Sequence, residues 1–256
     1  MDDSDIEMLE QARVTHIESG NDMLRVLQWG TRGPVVLLVH GWGSHAPRYA
    51  NFVDEILAHG WRALAFDAPG HGLSSGRQVG IADFRRAMDT VIAAYGPVDA
   101  VIAHSFGALA AVSLLAETAG AKLRAAVLVS MPKDAGYILD SFLMALDLDE
   151  PTAERVRARF AKQQGQTASS ISVVPLAPKI HCPVLLVHDR NDGIVPVEHA
   201  QEIVAMLPNG RLLLTQGMGH SALLRDPSTI GSALGFLEGV LAGSATKTSS
   251  TIPGVL

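Results

Sequence analysis

The chain has 256 residues, 48% of them hydrophobic, a single cysteine and a formal net charge of -6. That length and apolar content fit one large α/β domain, residues 1–242, better than two small ones. The negative balance, with no run of Lys and Arg to override it, gives no electrostatic footprint for nucleic acid, and the lone Cys182 excludes an internal disulfide and makes a cysteine metal site implausible. The acidic start MDDSDIEMLEQ is unlike a basic-then-apolar export signal, and no uncharged apolar stretch reaches the roughly 18 residues that cross a bilayer. A cytoplasmic protein without a membrane span is therefore expected.

Residues 13–17 and 23–29 read as two strands joined by a turn at Ser19-Gly20-Asn21-Asp22, an antiparallel hairpin at a sheet edge. Residues 35–39, VVLLV, form an unbroken apolar run that leads into His40-Gly41-Trp42-Gly43, as a buried parallel strand ending in a glycine-rich loop would. Pro47 opens a helix whose apolar positions, Tyr49, Phe52, Val53, Ile56 and Leu57, follow helical spacing until Gly60 closes it. A strand at 61–66 runs into Asp67-Ala68-Pro69-Gly70-His71-Gly72-Leu73-Ser74, and a further helical face follows from Ile81 to Tyr95. Strand and helix in alternation are the pattern of a doubly wound, mostly parallel sheet.

The organising stretch is 98–120, VDAVIAHSFGALAAVSLLAETAG. Its first part reads as a strand covered on both faces, and 106–119 is apolar nearly all round, as in a helix buried against the sheet. Between them stands Ser105, in Ala103-His104-Ser105-Phe106-Gly107. Small residues two before and two after a serine allow a sharp strand-to-helix turn that presents the hydroxyl at the strand's C-terminal end. Taken alone, the same residues also fit a serine that only caps a helix.

After a strand at 125–129 the rhythm breaks. Residues 131–178 hold two helix-like segments, 137–148 and 151–164, with no strand between them, and read as a small cap over the C-terminal ends of the strands. The second carries Arg155, Arg157, Arg159 and Lys162 against Glu150 and Glu154, which reads as a solvated face rather than an anion-attracting mouth. Strands at 184–187 and 211–215 flank a helix at 199–207. Asp226-Pro227 then starts the last helix, and 243–256 reads as a flexible tail.

A serine hydroxyl needs a base within hydrogen-bond reach and a third group to orient that base. Two loops after strands could supply them: His188-Asp189-Arg190-Asn191-Asp192-Gly193-Ile194-Val195-Pro196 and Gln216-Gly217-Met218-Gly219-His220. Here the chain resembles the α/β-hydrolase superfamily, through His40-Gly41-Trp42-Gly43, Asp67-x-x-Gly70-x-Gly72-x-Ser74, the serine elbow, Asp192-x-x-Val195-Pro196 and Gly219-His220, in that order. The resemblance implies Ser105 as nucleophile, His220 as general base and then acid, and Asp192 as the orienting carboxylate. It also implies backbone N–H groups of Trp42 and Phe106 as an oxyanion hole. Asp189 and Asp134 stand as other candidates for the acid, Asp67 as a brace for the glycine-rich turn, and His40 as support for the oxyanion loop. His104 reads as a packed neighbour, and His181, His188 and His199 have no matching partner in these patterns.

The expected activity is hydrolysis of carboxylic esters through an acyl-enzyme, with no cofactor and no metal. Trp42, Tyr137 and Phe142 are expected around an apolar acyl or aryl group of a small-molecule ester. The same triad serves thioesterases, amidases, peptidases and C–C bond hydrolases, and a ligand-binding or signalling protein without turnover is the reading from another class.

Overall fold

The computed structural model describes residues 3–77, 80–117 and 123–242; the expected tail at 243–256 and the end of the 106–119 helix lie outside them. Eight strands form one sheet: β1 (Arg13–Ser19), β2 (Asp22–Trp29), β3 (Val35–Val39), β4 (Arg62–Phe66), β5 (Ala100–His104), β6 (Ala125–Val129), β7 (Val184–Asp189) and β8 (Gly210–Thr215). Their order across the sheet is β1-β2-β4-β3-β5-β6-β7-β8, with β1 and β2 antiparallel at one edge and β4 to β8 all parallel to β3.

The two apolar faces of this sheet explain the uninterrupted hydrophobic runs. Every residue of β3, β5, β6 and β7 is buried. On one face α3 (Ile81–Tyr95) and α4 (Phe106–Glu117) enclose a core that includes Leu37, Val101, Phe84 and Leu109. On the other, α2 (Ala50–Ala58) and α8 (Pro227–Ala242) pack Phe52, Ile56, Leu234 and Leu237 against Val36, Ile102 and Val127. α7 (Val197–Met206) links β7 to β8. Asp226 caps α8 as its position before Pro227 suggested, its carboxylate accepting from Thr229 N at 2.7 Å.

Three local features depart from the sequence reading. An additional helix, α1 (Asp3–Glu10), precedes the hairpin and is tied to it by Trp29 Nε1 donating to Met8 O at 2.8 Å; its short amphipathic pattern was masked by its acidic residues. Pro47 sits in a 3-10 turn, Ala46–Tyr49, before α2 begins at Ala50. Between β6 and β7, α5 (Ala135–Ala145) starts two residues earlier than its apolar pattern, because the Asp134 side chain caps it by accepting from Tyr137 N at 2.8 Å. α6 (Glu150–Gln164) follows, capped by Asp149. Arg157 joins the two helices through Asp140, at 2.8 Å, and also pairs with Glu150 at 2.7 Å.

Candidate active site

The C-terminal ends of β3, β5, β7 and β8 bring the expected site residues together. Ser105 follows β5 immediately and has φ 51, a left-handed conformation that a residue with a Cβ adopts only when its surroundings over-determine it. Ser105 N donates to Val129 O at 2.9 Å and Leu109 N donates to Ser105 O at 3.1 Å, so the turn is held by the neighbouring strand and by α4 itself. The small residues around it have steric reasons. A Cβ on Gly107 would lie 2.2 Å from His40 O, while Ala103 is fully buried between β3 and β6.

The loops after β7 and β8 each deliver one polar side chain. Asp192 Oδ2 lies 2.8 Å from His220 Nδ1. A carboxylate only accepts, so Nδ1 carries the proton and Nε2 is left as the basic nitrogen. Asp192 Oδ1 accepts from Ile194 N at 2.8 Å and Val195 N at 3.0 Å. Burial works to raise the pKa of Asp192, but the His220 and backbone donors outweigh it and hold the carboxyl below its ordinary range.

Asp189, the rival acid, has another task. Its fully buried carboxylate accepts from Thr215 Oγ1 at 2.7 Å, Asn191 N at 2.9 Å, Met218 N at 3.1 Å and Gly217 N at 3.2 Å. Burial opposes ionisation, yet the Thr215 hydroxyl and the surrounding N–H groups push its pKa down to about 2. One anion thereby pins the bases of both loops. Asp134, the third candidate, is occupied as the cap of α5.

His104, read from sequence as a packed neighbour, and the histidines without a matching partner there have definite positions. His104 Nε2 donates to His220 O at 2.9 Å, and Ser130 Oγ donates to the same carbonyl at 3.2 Å. His188 is buried behind Asp192, with Nε2 donating to Val195 O at 2.8 Å and lying 3.5 Å from Asp192 Oδ2. His199 Nδ1 accepts from Lys133 N at 3.1 Å, and its ring meets Tyr137 edge-on. His181 is exposed.

The loop after β3 is braced from the glycine-rich turn. His40 Nδ1 donates to Gly41 O at 2.8 Å while its Nε2 accepts from Ala68 N at 2.9 Å, and burial pushes its pKa down to about 4, keeping it neutral. His71 Nε2 accepts from Gly43 N at 3.0 Å. Asp67, as expected of a brace, accepts from Ala46 N and Leu73 N. A Cβ on Gly72 would strike its carboxylate at 2.2 Å. The Trp42 ring packs edge-on against Phe106, with centroids 5.1 Å apart, so the residues expected to offer oxyanion donors are in contact.

A cavity of about 700 Å³ opens over these groups and contains Ser105, His104 and His220 in its wall, a size suited to a small organic ligand. Tyr137, Ile138 and Phe142 of α5 face it together with Trp42, Ile194 and Val195. Tyr137 also donates from its hydroxyl to Ile194 O at 3.0 Å, tying α5 to the Asp192 loop. The sequence reading placed Trp42, Tyr137 and Phe142 at this wall and missed Ile194 and Arg48, which no pattern singled out. Among the described residues there is no group of three or more side chains suited to hold a metal, and no helix long and apolar enough to cross a membrane.

Two stretches of the sequence, and the fold as a whole, match known proteins. A family model for serine aminopeptidase, S33, matches residues 31–134, and one for TAP-like protein matches 158–235. Structures superpose over nearly the whole chain: an esterase from Rhodococcus has a TM-score of 0.69 at 20% identity, covering 90% of this chain and 99% of that one. The chain belongs to the α/β-hydrolase superfamily.

Within the superfamily, a pimeloyl-[acyl-carrier protein] methyl ester esterase from Vibrio vulnificus is 22% identical over 244 residues, covering 79% of this chain and 94% of the relative. Protein phosphatase methylesterase 1 from Mus musculus is 33% identical over 114 residues, 41% of this chain and 29% of that protein. The α/β-hydrolase domain-containing protein 10 from mouse superposes with a TM-score of 0.68 at 16% identity, covering 91% of this chain and 100% of that one.

Proposed function

We propose that this α/β-hydrolase cleaves carboxylic esters through Ser105, His220 and Asp192. The observation that carries the reading is the 2.8 Å Asp192–His220 hydrogen bond, which leaves Nε2 of His220 basic in the same cavity that Ser105 lines. His220 takes the Ser105 proton as Oγ attacks the ester carbonyl, forming a tetrahedral intermediate. The N–H groups of Trp42 and Phe106 stabilise its negative oxygen, the second aided by the N-terminus of α4. His220 then protonates the departing alcohol, and a water deprotonated by the same imidazole attacks the acyl-enzyme, releasing the acid and restoring Ser105.

An ester is favoured over an amide or a C–C bond by two relatives: the Vibrio esterase and the mouse protein phosphatase methylesterase 1 are both named for removing methyl esters. The apolar part of the ester is assigned to Trp42, Tyr137, Phe142 and Ile194, with α5 and α6 acting as a small cap on a single domain. No cofactor takes part in these steps.

The test is hydrolysis of a short-to-long series of p-nitrophenyl acyl esters by the wild type and Ser105→Ala, with a fluorophosphonate probe alongside. Turnover and labelling that both require Ser105 support the reading. Ester hydrolysis that survives in Ser105→Ala overturns it. Labelling without ester turnover redirects the same serine to thioester, amide or C–C substrates.

A further inference from the structure

The steps above leave one wall of the cavity without a role. It includes Arg48, from the 3-10 turn Ala46–Tyr49, half-buried and lining the same cavity as Ser105 and His220. Among the residues that line the cavity Arg48 is the one permanent charge, and none of them is Asp or Glu. Elsewhere the guanidinium groups of Arg85, Arg86 and Arg157 are each engaged by one or more carboxylates. Arg48 enters no ion pair among the described residues, in a chain whose acidic residues outnumber its Lys and Arg by 26 to 20.

This placement has an energetic consequence when a ligand fills the cavity. An apolar or neutral ligand displaces water from the guanidinium and leaves a half-buried charge without a partner, which is costly. A carboxylate or phosphate replaces that water with charge-assisted, bidentate hydrogen bonds that match the guanidinium fork. Tyr137, Ile138, Phe142 and Ile194, which line the same cavity, suit an apolar segment. The lining thus offers both an apolar surface and a single permanent cation. His45 and Ser44, beside Arg48 in the wall, add further polar groups there.

We propose that Arg48 is the specificity-determining residue of an anion subsite, and that the preferred substrates are esters carrying a second, oxyanionic group, a carboxylate or a phosphate. The inference rests on the serine-esterase reading for the reaction, while the selectivity rests on Arg48 alone.

The experiment compares monomethyl esters of a dicarboxylic acid series with methyl esters of monocarboxylic acids of matched length. The readout is the ratio of kcat/KM for charged over neutral ester within each protein, so that general damage to the site cancels. The wild-type ratio is expected at about tenfold or more, carried mainly by KM. It should fall to near unity in Arg48→Met, invert in Arg48→Glu and stay intermediate in Arg48→Lys. A methyl ester bearing a terminal phosphate distinguishes the two anions by which gives the larger ratio. A ratio near unity in the wild type, or one unmoved by Arg48→Met, overturns the subsite while Ser105-dependent hydrolysis of neutral esters leaves the esterase reading standing. Calorimetric binding of a dicarboxylate monomethyl ester to Ser105→Ala separates the two readings in the other direction. If turnover is absent throughout, binding that still requires Arg48 retains the subsite and removes the esterase reading. Binding indifferent to Arg48 removes the subsite.

Discussion

His104 Nε2 donates a 2.9 Å hydrogen bond to the backbone carbonyl of His220, joining residues 116 positions apart. His104 immediately precedes Ser105, so the residue beside the proposed nucleophile fixes the main chain of the proposed base. Burial, together with the neighbouring His220, pushes the His104 pKa down to about 3. The imidazole is therefore neutral at ordinary pH, with its one proton committed to this bond. The link ties the serine elbow to the loop after β8, a constraint of the kind that holds groups in a near-attack geometry.

His104→Phe should keep the ring and lose the donor, leaving the His220 carbonyl to Ser130 alone. We expect kcat to fall by roughly tenfold to a hundredfold, with the far-UV circular dichroism unchanged. His104→Gln, whose amide can donate to the same carbonyl, should recover part of the loss. Equal impairment of both variants would show that ring packing, not the hydrogen bond, accounts for the effect.

The two carboxylates of the β7 loop should separate cleanly by what they damage. Asp192→Asn removes the anion that sets the His220 tautomer, and activity should drop by about four orders of magnitude with little change in melting temperature. Asp189→Asn places an amide among four converging donors, and its main effect should be a lowered melting temperature. Steady-state kinetics and thermal melts on the same two proteins check both halves. A catalytic loss for Asp189→Asn as large as that for Asp192→Asn, with unchanged melting, would contradict this division.

Much of this arrangement is legible in the sequence because the chemistry imposes local patterns. Strands covered on both faces read as runs such as VVLLV, and the steric limit at the elbow reads as the small residues Ala103 and Gly107 around Ser105. The braces are not legible. His104 and His188 donate to main-chain carbonyls and Asp189 accepts mostly from main-chain N–H groups, and a backbone partner leaves no mark on residue type. Arg48 is silent for a related reason: its significance lies in the carboxylates absent around it, which only the assembled cavity reveals. Helix starts shift where a side chain caps them, as Asp134 does for α5, because periodicity registers the apolar face and not the cap.

Asp189 also sets a pH dependence of stability. Its folded pKa, about 2, lies below the ordinary value of 3.8, so the folded state favours the ionised form. The resulting stability is present in full above about pH 4 and is lost as pH falls toward 2, an effect on the order of 2 kcal/mol. Denaturant midpoints measured from pH 6 down to pH 2 should decline, and Asp189→Asn should flatten part of that decline. An identical pH slope in the variant would assign the acid sensitivity to other carboxylates.

Gly107 offers the most stringent test of the elbow's steric logic. A Cβ there would lie 2.2 Å from His40 O and 2.8 Å from Val39 O, both backbone atoms that no rotamer change can withdraw. The helix α4 would have to move away from β3, carrying Ser105 and the Phe106 N–H with it. Gly107→Ala should therefore lower stability by about 1–3 kcal/mol or more, and it should slow fluorophosphonate labelling in whatever fraction remains folded. The control is Gly231→Ala in α8, where an added Cβ meets nothing within 4 Å and the gain in helix propensity over glycine is about 1 kcal/mol. Opposite shifts of the two midpoints are the expected result. A Gly107→Ala protein as stable and as reactive as the wild type would mean that close approach to β3 does not dictate the residue two after the serine.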